Sequence, residues 1–366
     1  MGKRELLLIG AFVVVGLVVW RLTAPPAEPG AQGFSLQRTL DNIRSGLQSH
    51  DTAAEASASA KVAAPSTVTR VEFGEISGTV VIEGTEGDEV VADLRGTVFG
   101  ADETQAKGFA AATTLRTDTG TDTLRVTVER PEMKHLPRLE LKLQVPQRLV
   151  VDITMRGGRL EARRVAGLEF EARRTTVLVG DVRGLVKGNQ RDGDVEISDV
   201  DAVDLTTRRV DVRVERVAGT VKGEADDGQW LLRDIGGGVT LKGERADWSL
   251  ERLAGPLSFD ASDGHLTVRE EVGDVRGESR RCRLTFRVTG AGTMDVTAED
   301  APVELQVGGT VGARYDLRAE DATVRAPEGT LRITTRDTVT EASGSTGAGG
   351  RTVKVRSRRG DITVRP

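Results

Sequence analysis

Cysteine is almost missing from this chain. Cys282 stands alone among 366 residues, which excludes an intramolecular disulfide and any thiolate metal cluster. In the run Arg281-Cys282-Arg283-Leu284-Thr285-Phe286 it shares the parity of Leu284 and Phe286, so an inert core thiol is expected. Aromatics are nearly as scarce, at 3%, which argues against a bulky globular core. Only three histidines occur, His50, His135 and His265, and none has a Ser or Cys partner in a context that suggests a nucleophilic triad. Walker, HExxH, CxxC and dinucleotide-binding glycine patterns are lacking too. Charge is plentiful but balanced, 51 basic against 56 acidic residues for a net of −5. The concentrated basic surface that nucleic acid requires is therefore not expected.

What the chain does have is glycine, 43 residues of it, and a repeat. An apolar column runs Val177, Val195, Val212, Trp230, Trp248 and Leu266, with steps of 17 or 18. A second follows two residues later: Val179, Ile197, Val214, Leu232, Leu250 and Val268. A third runs Leu168, Val186, Val203, Val221, Val239 and Leu257. Small residues recur as Gly184, Ala202, Gly219, Gly237, Gly255 and Gly273. Within each unit the apolar positions alternate with Arg, Glu, Asp and Thr, the period of a half-buried strand. Such self-similarity is the mark of a repeat architecture. The fold class it predicts is all-β, a single-stranded parallel β-helix or solenoid with coils of ~18 residues.

The N-terminus reads differently. Leu6 to Trp20 is an unbroken apolar run flanked by Lys3, Arg4 and Arg21. It lies at the short edge of what a transmembrane helix needs. Bulky Trp20-Arg21 and the nearby Pro25 and Pro26 disfavour cleavage as a signal peptide. An uncleaved signal anchor over 1–22 is expected, with a cytoplasmic N-terminus and the bulk of the chain across the membrane. Residues 23–66, rich in Ala, Ser and Pro, read as a flexible linker. Leu36, Leu40, Ile43 and Leu47, behind Ser35, place a short amphipathic helix at 35–48. Residues 67–148 contain strand-like runs without the 18-residue beat and read as an irregular β region or N-terminal cap. Residues 149–366 read as the solenoid.

Gly-Asp and Asp-Gly recur at the turns, as at Gly180-Asp181, Asp192-Gly193-Asp194, Asp263-Gly264 and Gly360-Asp361. Together with Ile76 to Gly84, Leu141 to Pro146 and the closing run Val353 to Val364, they give the chain a family likeness. Over 67–366 it resembles the bacterial adhesin-like proteins of the DUF4097/DUF2807 kind. That resemblance implies a parallel β-solenoid fixed to the cell envelope, with no established catalytic residues.

No catalytic, cofactor-binding or metal-binding residue is assigned from the sequence. Arg359-Gly360-Asp361 spells an integrin-type tripeptide, but other coils carry Gly-Asp followed by Val at turns, so a structural turn is expected. Asp192, Asp194, Asp199, Asp201 and Asp204 could suggest calcium, yet Arg191, Arg208 and Arg209 lie close in sequence and would neutralise them. A carbohydrate-active enzyme would need a placed carboxylate pair, whereas acids and arginines here are spread over every coil. The basic group Arg351, Lys354, Arg356, Arg358, Arg359 and Arg365 could meet an anionic polymer, lipid headgroups or a partner. It is expected to be a charged end cap that prevents strand pairing end to end. The function expected is a non-enzymatic, membrane-anchored envelope protein for adhesion, scaffolding or sensing. Its partners would be the membrane through the N-terminal helix and an envelope polymer or protein. A bactofilin-like self-assembling scaffold is the alternative.

Overall fold

The computed structural model describes residues 52–134, 137–271, 273–308, 312–347 and 350–365. Alternating apolar and charged residues leave a strand one buried and one wet face. Here that alternation is continuous. Leu257–Ser262, Val275–Arg280 and Ala313–Glu320 each bury every second residue. All the described strands join one 22-stranded sheet, and most of its pairings are parallel.

Each coil hydrogen-bonds to the next through two separate runs. Val239 pairs with Val221 on one side and Leu257 on the other, while Trp248 pairs with Trp230 and Leu266. The offset is 17 residues where Val150–Arg163 meets the following strand, 18 through the middle, and 19 where Val275 meets Met294. Like side chains therefore lie over like. The Trp230 and Trp248 rings are 4.9 Å apart at 46°, a tilted aromatic contact. Leu232, Leu250 and Val268 are wholly buried in their own file, each contributing roughly 1.5–3 kcal/mol.

Two kinds of glycine make this packing possible. A Cβ on Gly188 would sit 2.2 Å from the Phe170 ring, and one on Gly277 would sit 2.4 Å from Phe259. Each ring fills the space its neighbouring coil leaves. Along one corner, a Cβ on Gly237, Gly255 or Gly273 would lie 2.5, 2.3 and 2.5 Å from the carbonyl oxygen one coil away. That close approach explains the small-residue column of the sequence.

The two ends break sequential order. At the N-terminal end, Arg70–Thr85 pairs in parallel with Val150–Arg163, eighty residues on, with Val71 opposite Val151. Its other side pairs with Thr123–Glu129 and Arg138–Pro146. Residues 70–85 thus form a parallel coil, with register shifts between Phe73, Ile76 and Gly78, inside the region expected to be irregular. Beyond it, Glu89–Gly100 runs antiparallel to Arg138–Pro146, and Thr52–Ala63 runs antiparallel to Glu89–Gly100. The helix Glu103–Ala112 follows, capped by Asp102, which accepts from the Gln105 amide, while the Gln105 side chain accepts from the Ala101 amide just before the cap.

At the C-terminal end, coil 292–307 is followed in space by coil 351–365 and only then by coil 313–325. The strand Val339–Thr346 closes the stack antiparallel to Ala313–Glu320, and Arg332–Arg336 pairs antiparallel to it.

Three sequence expectations are corrected by this structure. Thr52–Ala63, read as flexible linker, is a strand whose Ala54, Ala56, Ala58 and Ala60 turn one small-residue face inward. The basic C-terminal group does not cap the stack, because another coil and a hairpin lie beyond it. The expected localisation as a single-pass membrane protein is also overturned: no described helix is long and apolar enough to cross a membrane. The run Leu6 to Trp20 and the helix expected at 35–48 lie outside the described residues.

Candidate functional site

The corners of the coils carry the most regular chemistry. Where the chain turns between its two runs, the corner residue takes a positive φ, between 50° and 71°. In spatial order that column reads Arg174, Asp192, Arg209, Asp227, Arg245, Asp263, Arg281, Asp300, Arg359 and Asp321. Arginine and aspartate alternate without a break. Arg209 pairs with Asp192 at 2.7 Å and Arg281 with Asp263 at 2.6 Å, each reaching back one coil. Arg216 with Asp199 and Arg252 with Asp234 repeat the device on the opposite corner. Hydrogen bonds from these arginines hold Asp199, Asp234 and Asp263 below the usual carboxylate range.

The same reading accounts for the integrin-like tripeptide. Arg359 pairs with Asp300 on one neighbouring coil, while Asp361 accepts from the Thr323 amide and hydroxyl, both at 2.9 Å, on the other. Asp274 holds Thr293 in the same way. Both charges of the tripeptide are spent on the stack. The five aspartates weighed for calcium also disperse: Asp192 goes to Arg209, Asp199 to Arg216 and Asp204 to Lys222. Among the described residues no group of three potential ligands is placed to hold a metal. Cys282 is buried, and burial pushes its thiol up to about 11. His135 lies outside the described residues, as does His50.

A groove on the face of the second run is the site the sequence did not mark. Its volume is about 920 Å³. One wall is a file of side chains one coil apart: Arg159, Thr176, Asp194, Asp211, Gln229, Asp247 and His265. Half-buried Leu178, Leu231, Ser249 and Thr267 form the floor beside Glu196 and Arg213. Seven coils at about 4.8 Å give a length of roughly 29 Å. Asp211 accepts from the Gln229 amide at 3.1 Å, and the His265 Nδ1 lies 2.9 Å from Asp247. The carboxylates of Asp194 and Glu196 have no hydrogen bond or ion pair among the described residues. No described hydroxyl hydrogen-bonds to His265, so the Asp247–His265 pair is not extended into a nucleophile. The groove can offer acceptors and a few donors along a line, with four acids against two arginines. Outward side chains of successive coils were legible in the sequence; the concavity they form was not.

Another acidic spot shows how burial and pairing compete. Arg70 donates to Asp152 at 2.9 Å and to both Glu169 oxygens at 2.9 and 3.0 Å. Hydrogen bonding to Arg70 holds Glu169 below the usual range, whereas burial holds Asp152 above it despite the same guanidinium. Desolvation outweighs pairing at Asp152, and the two hydrogen bonds from Arg70 outweigh it at Glu169.

No family model matches the chain, so the DUF4097/DUF2807 assignment has no support from that side, and no curated protein matches it. Solved structures similar to it include a candidate cell adhesion protein from Clostridium sporogenes, 11% identical, covering 84% of this chain and 97% of that one with a TM-score of 0.22. A candidate adhesin from Bacteroides fragilis is 10% identical, with coverages of 84% and 97% and a TM-score of 0.27. One from Parabacteroides merdae is 11% identical, with coverages of 85% and 97% and a TM-score of 0.28. Likeness at this level fixes neither ligand nor partner.

Proposed function

We propose that the chain is a non-enzymatic adhesion protein that holds an extended, uncharged or weakly cationic polymer along the groove of its second face. The observation carrying this reading is the file of polar side chains repeated over seven coils, with the unpaired carboxylates of Asp194 and Glu196 in the groove's lining. A linear array with one polar contact per coil suits a repeating ligand, for which many weak contacts add up. A polyhydroxyl chain such as a glycan fits a groove rich in acceptors. The excess of acids disfavours an anionic wall polymer. Catalysis is not favoured, because the acid and imidazole that do meet, Asp247 and His265, activate no nucleophile. The self-assembling scaffold is also set aside, since among the described residues the antiparallel strands Thr52–Ala63 and Val339–Thr346 cover the first run at both ends of the stack.

The test is retention of the full chain on a panel of immobilised neutral, anionic and cationic polysaccharides. Binding to a neutral or cationic polymer is expected, with no change in polymer length. Asp194→Asn combined with Glu196→Gln should weaken it roughly tenfold, about 1.4 kcal/mol. Preference for an anionic polymer, or retention indifferent to that double substitution, removes this reading.

A further inference from the structure

The strongly basic C-terminal coil lies between the acidic coil 292–307 and coil 313–325, in which Arg314 and Arg318 alternate with Asp316 and Glu320. Lys354 is in register with Asp295 on one side and Asp316 on the other. Arg358 stands between Glu299 and Glu320 in the same way. One residue on, Arg359 lies between Asp300 and Asp321 and donates to Asp300 and Glu299. Stacking in sequence order would instead set coil 313–325 directly on coil 292–307. Acid would then face acid at all three places, at one strand spacing of about 4.8 Å, where like charges destabilise. These three contacts favour the interleaved order, against the single like-charge pairing of Arg356 with Arg318.

The start of the inserted coil is fixed by a different contact. Arg351 is fully buried and donates to the Gly290 carbonyl at 2.9 Å and the Gly273 carbonyl at 2.7 Å. Its other end is held by Arg365 on Glu304 at 3.2 Å. The coil fills a slot between two elements that have other partners of their own, although coil 313–325 pairs with the rest of the stack only through that coil. One wall continues the stack through Val275–Arg280, and the other is backed by Val339–Thr346.

We infer that this slot is a strand-acceptor site, and that the coil 351–365 of a second copy of the chain can occupy it in place of the chain's own. Every contact that holds the coil is non-covalent and made to residues at least 38 positions away. None of those contacts distinguishes one copy from another. The coil is tied to the preceding strand by Gly347-Ala348-Gly349-Gly350. From Thr346 to Arg351 that tie reaches at most about 17 Å, against about 10 Å for the two strand spacings it crosses in its own chain. Exchange thus requires the C-terminal ends of two copies to meet, and it is favoured wherever copies are held at high local concentration. The partner recognised is a copy of the same chain, independent of whatever occupies the groove.

Thiol cross-linking on the full chain tests this. Thr297 and Arg356 are directly paired and both exposed, and the only natural cysteine is buried. A chain carrying both Thr297→Cys and Arg356→Cys should cross-link within itself through a short bis-maleimide. Chains carrying only one of them, mixed in equal amounts and warmed together, should give several-fold more covalent dimer than either alone. That excess should vanish when the Arg356→Cys chain also carries Lys354→Glu, Arg358→Glu and Arg359→Asp. Internal cross-linking without any excess dimer in the mixture overturns the exchange. Failure of the doubly substituted chain to cross-link internally overturns the interleaved coil itself. Neither result bears on polymer retention by the groove.

Discussion

A left-handed backbone is uncomfortable for any residue with a Cβ, at roughly 1–3 kcal/mol, yet corner after corner here places Arg or Asp in it. The compensation is local. The side chain that leaves such a corner reaches the opposite charge one coil away, as Arg281 reaches Asp263. Arg281→Gly should therefore be close to neutral, losing an exposed ion pair and relieving the backbone. Arg281→Val should lower stability by about 1–2 kcal/mol more, since a β-branched residue is least tolerant of positive φ. Thermal unfolding of the two variants side by side checks the difference. Acid should act through the same corners. Asp199, Asp234, Asp263 and Asp300 are held below their usual value by arginine, so their ionised forms favour the fold. That contribution is complete above the unfolded carboxylate pKa of about 4 and is lost as pH falls through the lower folded values. Asp152, held high by burial, has the opposite sign and favours the fold when protonated. The four outnumber the one, so a midpoint followed by circular dichroism should fall on acidification below about pH 4.

At the scale of the strand, a ring and a glycine act as one unit across two coils. Phe259 fills the space over Gly277, and Phe170 that over Gly188. Gly277→Val would put a branched side chain where the ring already lies. A loss of about 1–3 kcal/mol is expected from overpacking, read as a lower denaturant midpoint with little change in slope. Shortening the ring with Phe259→Leu in the same chain should recover part of it. Full additivity of the two substitutions would show that ring and glycine do not share the space. Which ring lies over which glycine depends on the register of neighbouring coils, and no single strand contains that.

Over the whole molecule, what could be read from the sequence followed the order of stacking. Between Val150 and Val307 each coil lies on the one 17–19 residues before it, so the period in the sequence is the period in space. Trp230 and Trp248 could be matched by counting alone. At the ends that equivalence fails. Val71 rests on Val151 and Arg359 on Asp300, separations with no echo in the beat, so residues 70–85 passed for irregular structure and the basic C-terminus for a cap. The groove was hidden for a related reason. Its wall residues were visible as polar positions of successive units, but a concave line of them is a property of the assembled face. By itself, then, the sequence determined that this chain builds parallel coils, because burial of every second residue at a fixed repeat leaves no other economical arrangement. The order of the terminal coils and the site along the second face were decided only in three dimensions, where residues distant in the chain become neighbours.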